Sequence, residues 1–448
     1  MADYLIKDAQ VVNEGKITVA NVLIRGERIE RIDANFDVSF KVSEVNAEGK
    51  YFLPGVIDDQ VHFREPGLTH KANIFTESRA AVAGGVTTFM EMPNTNPATL
   101  TEALLEEKFA IAKDASLANY SFFMGVSNDN ADEALRVSRE RKSEVCGLKI
   151  FMGSSTGNML VDNTEVLEKI FCNSEMLIAT HCEDEATVRA NLERYKEQYG
   201  DKKDASFHPL IRDENACYLS SSQAKKMAEK CGTRLHILHI STADEIALFD
   251  NKTPLAQKKI TAEVCVHHLW FDADDYATQG NKIKCNPAIK DKKHRPQLLQ
   301  ALLDDHFDII ATDHAPHTVD EKNKPYLEAP AGLPLVQHPL LMLLDFYQDK
   351  KISLEKIAEK MAHAPAICFQ IKERGYLREG YFADAVLVDL QKEYKVTTEN
   401  ILYKCGWSPL LGHTFRSRIE KTFVSGHLAF DNGVLHEQQM GKRILFER

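Results

Sequence analysis

The strongest constraint on the fold is a regular alternation of segments between residue 54 and about residue 370. Short apolar segments of strand length recur there, and each is followed by a stretch long enough for a helix. This order is typical of a parallel α/β fold, because parallel strands need a crossover between them. The strand candidates are GVIDDQVH, GVTTFMEM, YSFFMGV, GLKIFMG, MLIATHCE, RLHILHIS, ITAEVCVHH and DIIATDHAPH. Eight parallel strands close a (β/α)₈ barrel, and we therefore predict a TIM-like barrel.

Both ends of the chain have the pattern of β-structure instead. Residues 1–53 contain β-like segments separated by Gly, Asn and Asp turns, and similar segments return after Gly375. We predict that residues 1–53 and 376–448 form a small composite β-sandwich domain, and that residues 54–375 form the barrel. The length of 448 residues is sufficient for both.

Composition and charge argue against several classes of protein. An apolar content of 44% is normal for a globular chain, and a net charge of −11 disfavours non-specific nucleic-acid binding. There is no apolar run of membrane-spanning length and no basic leader before an apolar segment, so we expect neither a membrane span nor a signal peptide. The nine cysteines form no CxxC pair, which favours reduced thiols in a cytoplasmic enzyme.

Ionisable residues are placed at the ends of the predicted strands. His62 ends the first strand and Lys149 lies in the fourth, whereas His181, His239 and Asp313 lie at the ends of the fifth, sixth and eighth. In a barrel these carboxyl ends converge on one mouth. Imidazoles and carboxylates are preferred ligands of Zn²⁺, so the combined pattern predicts a metal site there.

Each of these residues has a simpler explanation when it is taken alone. A single histidine at a strand end is more often structural than a ligand. A lysine in an apolar strand, such as Lys149, normally extends to solvent or pairs with an acid. If its amine has added CO₂, however, it becomes a carbamate whose oxygens can bridge a pair of metals.

Several motifs, taken in chain order, resemble those of the amidohydrolase superfamily of cyclic amide hydrolases. They are PGVIDDQVHFREPG, LKIFM, THCED, LHIST and ATDHAPH, and GYLREGYFADAVLVD is similar to the return of that family into its composite β-sandwich. The resemblance extends over nearly the whole chain. It implies two Zn²⁺ sites, a carboxylated lysine and a catalytic aspartate, Asp313, with the metals held by His62, Lys149, His181, His239 and Asp313.

Within the superfamily, the segment FREPG resembles the dihydroorotase family. Hydantoinases and dihydropyrimidinases generally lack an arginine there, and allantoinases resemble the motif with Asn in its place. The guanidinium of Arg64 is suited to binding a substrate carboxylate through two hydrogen bonds. The resemblance implies a substrate site formed by His62, Arg64, Asn94, Asn286, His317, Ala331 and Gly332. Plain turns are the alternative explanation for Asn94, Asn286 and residues 331–332.

The implied activity is the reversible cyclisation of N-carbamoyl-L-aspartate to L-dihydroorotate in de novo pyrimidine biosynthesis. A metal-activated hydroxide would be the nucleophile and Asp313 the proton carrier. The resemblance also leads us to expect a homodimer, and it allows association with another enzyme of the pathway.

Gln60 departs from the family motif, which has a histidine at this position. An amide is a poor zinc ligand, so we predict that the metal held by His62, Lys149 and Asp313 binds more weakly than the metal held by His181, His239 and the same lysine. Water or the Gln60 amide oxygen would fill the gap. A catalytically silent scaffold for a partner enzyme is one alternative, and another cyclic amide hydrolase of the allantoinase or dihydropyrimidinase kind is a second.

Other polar segments near the strand ends are predicted to be structural or flexible. His267 and His268, which follow the seventh strand, are interpreted as structural. Residues 154–160 and 318–328 are predicted to be loops over the barrel mouth, and the second is either a lid or a solvated loop.

Overall fold

The computed structural model describes residues 2–153, 158–200 and 204–448. Its strands in chain order are β1 (Tyr4–Asn13), β2 (Lys16–Arg25), β3 (Arg28–Asp33), β4 (Ser43–Asn46), β5 (Tyr51–Pro54), β6 (Val56–Val61), β7 (Val86–Glu91), β8 (Asn119–Gly125), β9 (Gly147–Phe151), β10 (Ile178–His181), β11 (Leu235–Ile237), β12 (Ile260–Cys265), β13 (Ile309–Ala311), β14 (Ala385–Asp389), β15 (Tyr394–Lys395), β16 (Thr414–Phe415), β17 (Arg418–Val424), β18 (His427–Asp431) and β19 (Val434–Leu435).

The helices in chain order are α1 (Ile74–Ala83), α2 (Glu102–Ala115), α3 (Ala131–Glu140), α4 (Thr164–Asn173), α5 (Glu185–Tyr199), α6 (His208–Ile211), α7 (Glu214–Cys231), α8 (Val266–Trp270), α9 (Tyr276–Gln279), α10 (His294–Leu303), α11 (Val319–Lys322), α12 (Pro339–Gln348), α13 (Leu354–Ala358) and α14 (Ala364–Phe369). Short polar side chains start several of them. Asn73, for example, accepts the Thr76 N–H at 2.8 Å before α1, and Asp213 accepts the Ala216 N–H at 2.9 Å before α7.

The predicted barrel is confirmed. Strands β6 to β13 form one eight-stranded parallel sheet in chain order, and each corresponds to one of the predicted segments. The sheet closes where the His62 N–H donates to the His314 carbonyl at 2.7 Å. Strands such as β7 and β8 are buried along their whole length. Helices cover the outer face of a parallel barrel, so its strands are apolar on both faces rather than alternating.

Both ends of the chain contribute to a second, nine-stranded sheet. It contains β1 to β5 together with β14, β17, β18 and β19, and β5 pairs antiparallel with β14. Phe52 from the first part and Leu387 and Phe423 from the last part are buried in one cluster. We propose that the boundaries between this β domain and the barrel lie at residues 53/54 and 375/376.

Two details differ from the sequence-based expectations. Cys172 at the end of α4 and Cys231 at the end of α7 form a disulfide with a Cα–Cα distance of 4.6 Å, so the prediction that the cysteines are all reduced is wrong for this pair. Strand β12 ends at Cys265, before the end of the predicted segment ITAEVCVHH, and His267 and His268 lie in the short helix α8 that follows it.

The loops predicted at the barrel mouth are only partly described. Residues 154–157 of the first lie outside the described residues. The second, residues 318–328, contains α11, which is capped by Thr318 and Glu321. The Lys322 ammonium donates to the Gly332 carbonyl at 2.8 Å, so this segment is attached to the barrel mouth. No helix in the described ranges has the length and apolar character needed to cross a membrane.

Candidate active site

A cavity of about 430 Å³ opens at the carboxyl ends of the barrel strands. It is large enough for a small molecule. All of the residues that the sequence predicts for the site line this cavity, namely His62, Arg64, Asn94, Lys149, His181, His239, Asn286, Asp313, His317, Ala331 and Gly332. Gln60 and Lys71 line it as well. A larger groove of about 690 Å³ lies beside Trp270, away from these strand ends.

The first group in the cavity consists of His62, Asp313 and Gln60. His62 Nε2 lies 3.0 Å from Asp313 Oδ1, and His62 Nδ1 donates to Asn94 Oδ1 at 2.7 Å. An amide oxygen only accepts, so Nδ1 carries the ring proton and the Nε2 lone pair faces the cavity. Gln60 Nε2 donates to Asp313 Oδ1 at 3.2 Å, so Gln60 presents an N–H where the family motif has an imidazole.

The second group consists of His181 and His239. His181 Nδ1 lies 2.8 Å from His239 Nε2, and His181 Nε2 donates to Glu183 at 2.9 Å. Burial lowers the pKa of both imidazoles, which keeps them in the neutral form that binds metals. Although burial alone would raise the pKa of Glu183, Arg212 and His181 hold it at about 2. The carboxylate therefore stays ionised and orients His181.

Glu183 and Arg212 were not assigned a role from the sequence. Arg212 Nη1 lies 2.6 Å from Glu183 Oε2. The spacing of Glu183 two residues after His181 is the only local signal that points to this pair. Arg212 lies on a distant segment.

Lys149 lies between these two groups along the barrel. Its Nζ is buried and has no hydrogen-bond partner within the described residues, and no ion pair of Lys149 is found there either. Burial lowers the pKa of Lys149 to about 7. An unpaired, partly neutral amine in this position fits a lysine that reacts with CO₂, whereas it does not fit a lysine that pairs with an acid.

A cationic wall forms the other side of the cavity. The buried Arg64 donates from Nε to the Pro316 carbonyl at 3.1 Å, and burial lowers its pKa to about 10, so it remains charged near neutral pH. His317 donates from Nε2 to the Ala331 carbonyl at 2.9 Å and accepts from Lys71 Nζ at 3.0 Å. Burial, followed by the charge of Arg64, lowers the pKa of His317 to about 3, so its imidazole is neutral.

Lys71 also lines the cavity, although its sequence context does not predict this. It follows Arg64 by seven residues in the segment FREPGLTHK, and its ammonium also pairs with Glu321 at 2.9 Å. Nothing in this local pattern distinguishes Lys71 from a surface lysine. The fold alone brings it to the cavity.

Some of the groups that are predicted to contact the substrate have polar partners within the protein. Asn286 Oδ1 lies 3.0 Å from His208 Nε2. The Gly332 N–H donates to the Lys284 carbonyl at 2.8 Å, so this donor is already engaged within the protein. Gly332 has φ +132°, a conformation that favours glycine, and a Cβ there would lie 2.5 Å from the Ala315 carbonyl oxygen.

Three of the site residues have left-handed backbone conformations. The φ angles are 69° for Arg64, 44° for His239 and 46° for Asp313. Such values are uncommon for residues other than glycine and concentrate at functional sites, where the fold holds them in place. Each of these residues lies just beyond the end of its strand, where the chain turns.

A parallel barrel with histidines, a buried lysine and an aspartate at its strand ends has the donors of a metal-dependent hydrolase. Residues 51–429 match the model of the Amidohydrolase family, and the chain belongs to this family of hydrolases, which generally use divalent metals. Its relatives include the dihydroorotase of Listeria innocua, which is 31% identical over 432 residues, 96% of this chain and 99% of that protein. The dihydroorotase of Halobacterium salinarum is 31% identical over 413 residues, 91% of this chain and 92% of that protein.

Solved structures confirm the fold. The L-hydantoinase (dihydropyrimidinase) from Arthrobacter aurescens has a TM-score of 0.92 at 24% identity and covers 99% of this chain and 100% of its own. The dihydropyrimidinase from Brevibacillus agri has a TM-score of 0.89 at 21% identity, with 100% of both chains covered. At these identities the similarity concerns the fold alone. The resemblance to the amidohydrolase superfamily and to dihydroorotases is confirmed by the family match and the sequence relatives.

Proposed function

We propose that the protein is an active dihydroorotase, which interconverts N-carbamoyl-L-aspartate and L-dihydroorotate in pyrimidine biosynthesis. The observation that carries the proposal is the buried guanidinium of Arg64 at the cavity wall, beside Lys71, Asn94 and His317. Its relatives named dihydroorotase support the same choice.

The charge balance at Arg64 favours an acidic substrate. Within the described residues Arg64 forms no ion pair, whereas Lys71 is paired with Glu321. A buried cation without a counter-ion is unfavourable, and a substrate carboxylate would supply one. An uncharged ring, of the kind that the names hydantoinase and dihydropyrimidinase denote, would leave Arg64 unpaired. The unpaired charge of Arg64 therefore favours dihydroorotate over an uncharged cyclic amide as the substrate.

The donor set fits a pair of divalent cations such as Zn²⁺. His62, Asp313 and carboxylated Lys149 would hold one ion, and His181, His239 and the same lysine would hold the other. When bound, such ions lower the pKa of a water and polarise a carbonyl oxygen. The orphaned Nζ of Lys149 and the neutral histidines support this assignment.

The side chains of this chain orient the substrate and move the proton. Arg64 and Lys71 hold the substrate carboxylate, which directs the ring amide towards Asp313. In ring opening Asp313 accepts a proton from the attacking water and delivers it to the leaving ring nitrogen, and ring closure reverses these transfers. Gln60 Nε2, which donates to Asp313 Oδ1 at 3.2 Å, keeps this carboxylate in position.

Gln60 is the observation that favours a silent scaffold instead. We still prefer an active enzyme, because Lys149, the histidine pair, Asp313 and Arg64 line one cavity. A scaffold has no chemical need for that arrangement. A cytoplasmic location, a homodimer and association with another enzyme of the pathway are parts of the same proposal.

The test is the loss of ultraviolet absorbance of L-dihydroorotate on addition of the purified protein with zinc and bicarbonate. Turnover is expected, whereas dihydrouracil, which lacks the carboxylate, should react poorly. Arg64→Met should abolish turnover of dihydroorotate, and the exposed control Arg189→Met should not. A lack of turnover with metal bound would favour the scaffold, and faster turnover of dihydrouracil would favour another cyclic amide hydrolase.

A further inference from the structure

A second group of metal-ligating side chains lies just beyond the assigned site. Cys265 ends β12, and His267 and His268 follow it in α8. One ligand atom from each of these residues lies within 4.8 Å of the others, and all three residues are buried. Because β12 is the seventh strand of the barrel, we name these three residues the strand-7 cluster. They are not part of the predicted metal set.

The histidines of the strand-7 cluster lack the hydrogen bonds of a structural pair. Neither ring nitrogen of His267 has a hydrogen-bond partner of good geometry in the described ranges, and neither does Nδ1 of His268. Among the described residues, His268 Nε2 is engaged by the Pro287 carbonyl at 3.2 Å, and the backbone of Thr312 lies near His267. Buried polar groups are normally paired, so these idle nitrogens point to a partner that the protein itself does not supply.

The cluster adjoins the position at which the family motif is broken. Cys265 Sγ lies 3.8 Å from Gln60 Oε1, and Gln60 Nε2 donates to Asp313 at 3.2 Å. The amide therefore directs its oxygen towards the cysteine and its N–H towards the aspartate. Gln60 thus places an oxygen acceptor beside the Cys265 thiol.

We propose that Cys265, His267 and His268 bind one divalent cation of the Zn²⁺ class, with the Gln60 amide oxygen on the remaining side. A thiolate and two imidazoles are borderline-soft donors that favour Zn²⁺ or Co²⁺ over Mg²⁺ or Ca²⁺. Three protein ligands are sufficient to hold zinc. Cation binding displaces the thiol proton of Cys265 to solvent.

A second buried group, Asp59, His236 and Glu263, also has metal-ligating side chains, but it contains a cation of its own. His236 Nε2 lies 3.2 Å from Asp59 Oδ2 and 3.4 Å from Glu263 Oε2. A protonated His236 lies between the two carboxylates and offsets one of their two negative charges. In the strand-7 cluster the carboxylate of Glu263 lies 3.8 Å from Cys265 Sγ, and three buried imidazole nitrogens have no hydrogen-bond partner among the described residues.

The test uses the full-length protein without substrate, so its outcome is independent of the proposed activity. Protein freed of metal by a chelator is loaded with Zn²⁺ and measured by X-ray absorption at the zinc edge. A sulfur ligand at about 2.3 Å is expected. With Co²⁺ in place of zinc, the thiolate should give its intense near-ultraviolet charge-transfer band.

Cys265→Ala should remove the charge-transfer band and one equivalent of bound metal. The control Cys146→Ala alters another buried cysteine, next to the start of β9 and away from the barrel mouth, and should retain both. The absence of sulfur around zinc in the unaltered protein would overturn the proposal, even if Cys265→Ala failed to fold. So would an unchanged band in a folded Cys265→Ala protein.

Discussion

At the scale of single residues, the site depends on side chains that act on other side chains. Asn94 is predicted as a substrate ligand, yet its amide oxygen accepts the Nδ1 proton of His62 at 2.7 Å. Glu183 fixes His181 in the same way at 2.9 Å. Partners of this kind orient metal-binding imidazoles and raise their basicity. The remaining amide N–H groups of Asn94 are still able to donate to a substrate carboxylate.

Replacement of Glu183 tests whether its carboxylate orients His181. In Glu183→Gln the amide oxygen is a weaker acceptor for His181, and the Arg212 cation loses its partner. We expect the zinc affinity to fall by about 10- to 100-fold, measured by competition with a chromophoric chelator. The exposed Glu193→Gln is the matched control. Equal affinities in the two variants would argue against an orienting role for Glu183.

Replacement of Lys71 tests the cationic wall. Its charge would bind the substrate carboxylate equally in the ground state and in the transition state, so Lys71→Met should raise KM for dihydroorotate roughly tenfold and change kcat little. Steady-state kinetics would separate the two parameters. Lys113→Met, on the exposed side of α2, serves as the control. An unaltered KM would remove Lys71 from the substrate site.

At the scale of elements, the carboxyl ends of the strands carry the residues of the candidate site, and the connections hold those ends in place. Arg64, His239 and Asp313 leave their strands with positive φ angles, and the segment with α11 is joined to the barrel mouth through Lys322. On the outside of the barrel, the Cys172–Cys231 disulfide joins the ends of α4 and α7. These connections restrict elements that are distant in the chain.

The disulfide has a measurable consequence for stability. A cross-link that spans 59 residues restricts the unfolded chain, and its loss should lower the free energy of unfolding by up to about 4 kcal/mol. Cys172→Ser, at an exposed position, should show this loss in urea denaturation without reductant. With excess reductant the variant and the unaltered protein should coincide. Equal stability without reductant would contradict the prediction.

At the scale of the whole molecule, a charged network inside the barrel connects strands that are not neighbours. His236 lies between Asp59 of β6 and Glu263 of β12, and all three are buried. Burial alone would lower the pKa of His236, but hydrogen bonds to the two carboxylates raise it to about 9. Glu263 also accepts the His239 N–H at 3.0 Å, so this network supports the floor of the site.

The raised pKa of His236 predicts a loss of stability in alkaline solution. The ordinary histidine pKa is 6.5, so this contribution is complete below about pH 6.5 and is lost as the pH rises through about 9. The shift corresponds to a contribution on the order of 3 kcal/mol. Urea denaturation between pH 6.5 and 10, with a chelator present, should show a loss that is absent in His236→Gln. Parallel pH profiles for the two proteins would refute the assignment.

The barrel, the order of its strands and the residues at their carboxyl ends could be predicted from the amino-acid sequence. Strand length, apolar runs and helix-length crossovers are local properties, so they can be recognised without the fold. The residues His62, Lys149, His181, His239 and Asp313 could be predicted for the same reason. Each lies within or just beyond a predicted strand, and the closure of a barrel brings such positions together.

Which side chains meet at the site depends on how the elements pack, and the sequence did not reveal it. Lys71 reaches His317, Arg212 reaches Glu183, and Cys265 faces Gln60, although the members of each pair are far apart in the chain. The Cys172–Cys231 disulfide has the same origin. Periodicity within a segment carries no information on such distances. They follow from the packing of whole elements against one another, and that packing is settled only when the barrel and the second sheet have formed.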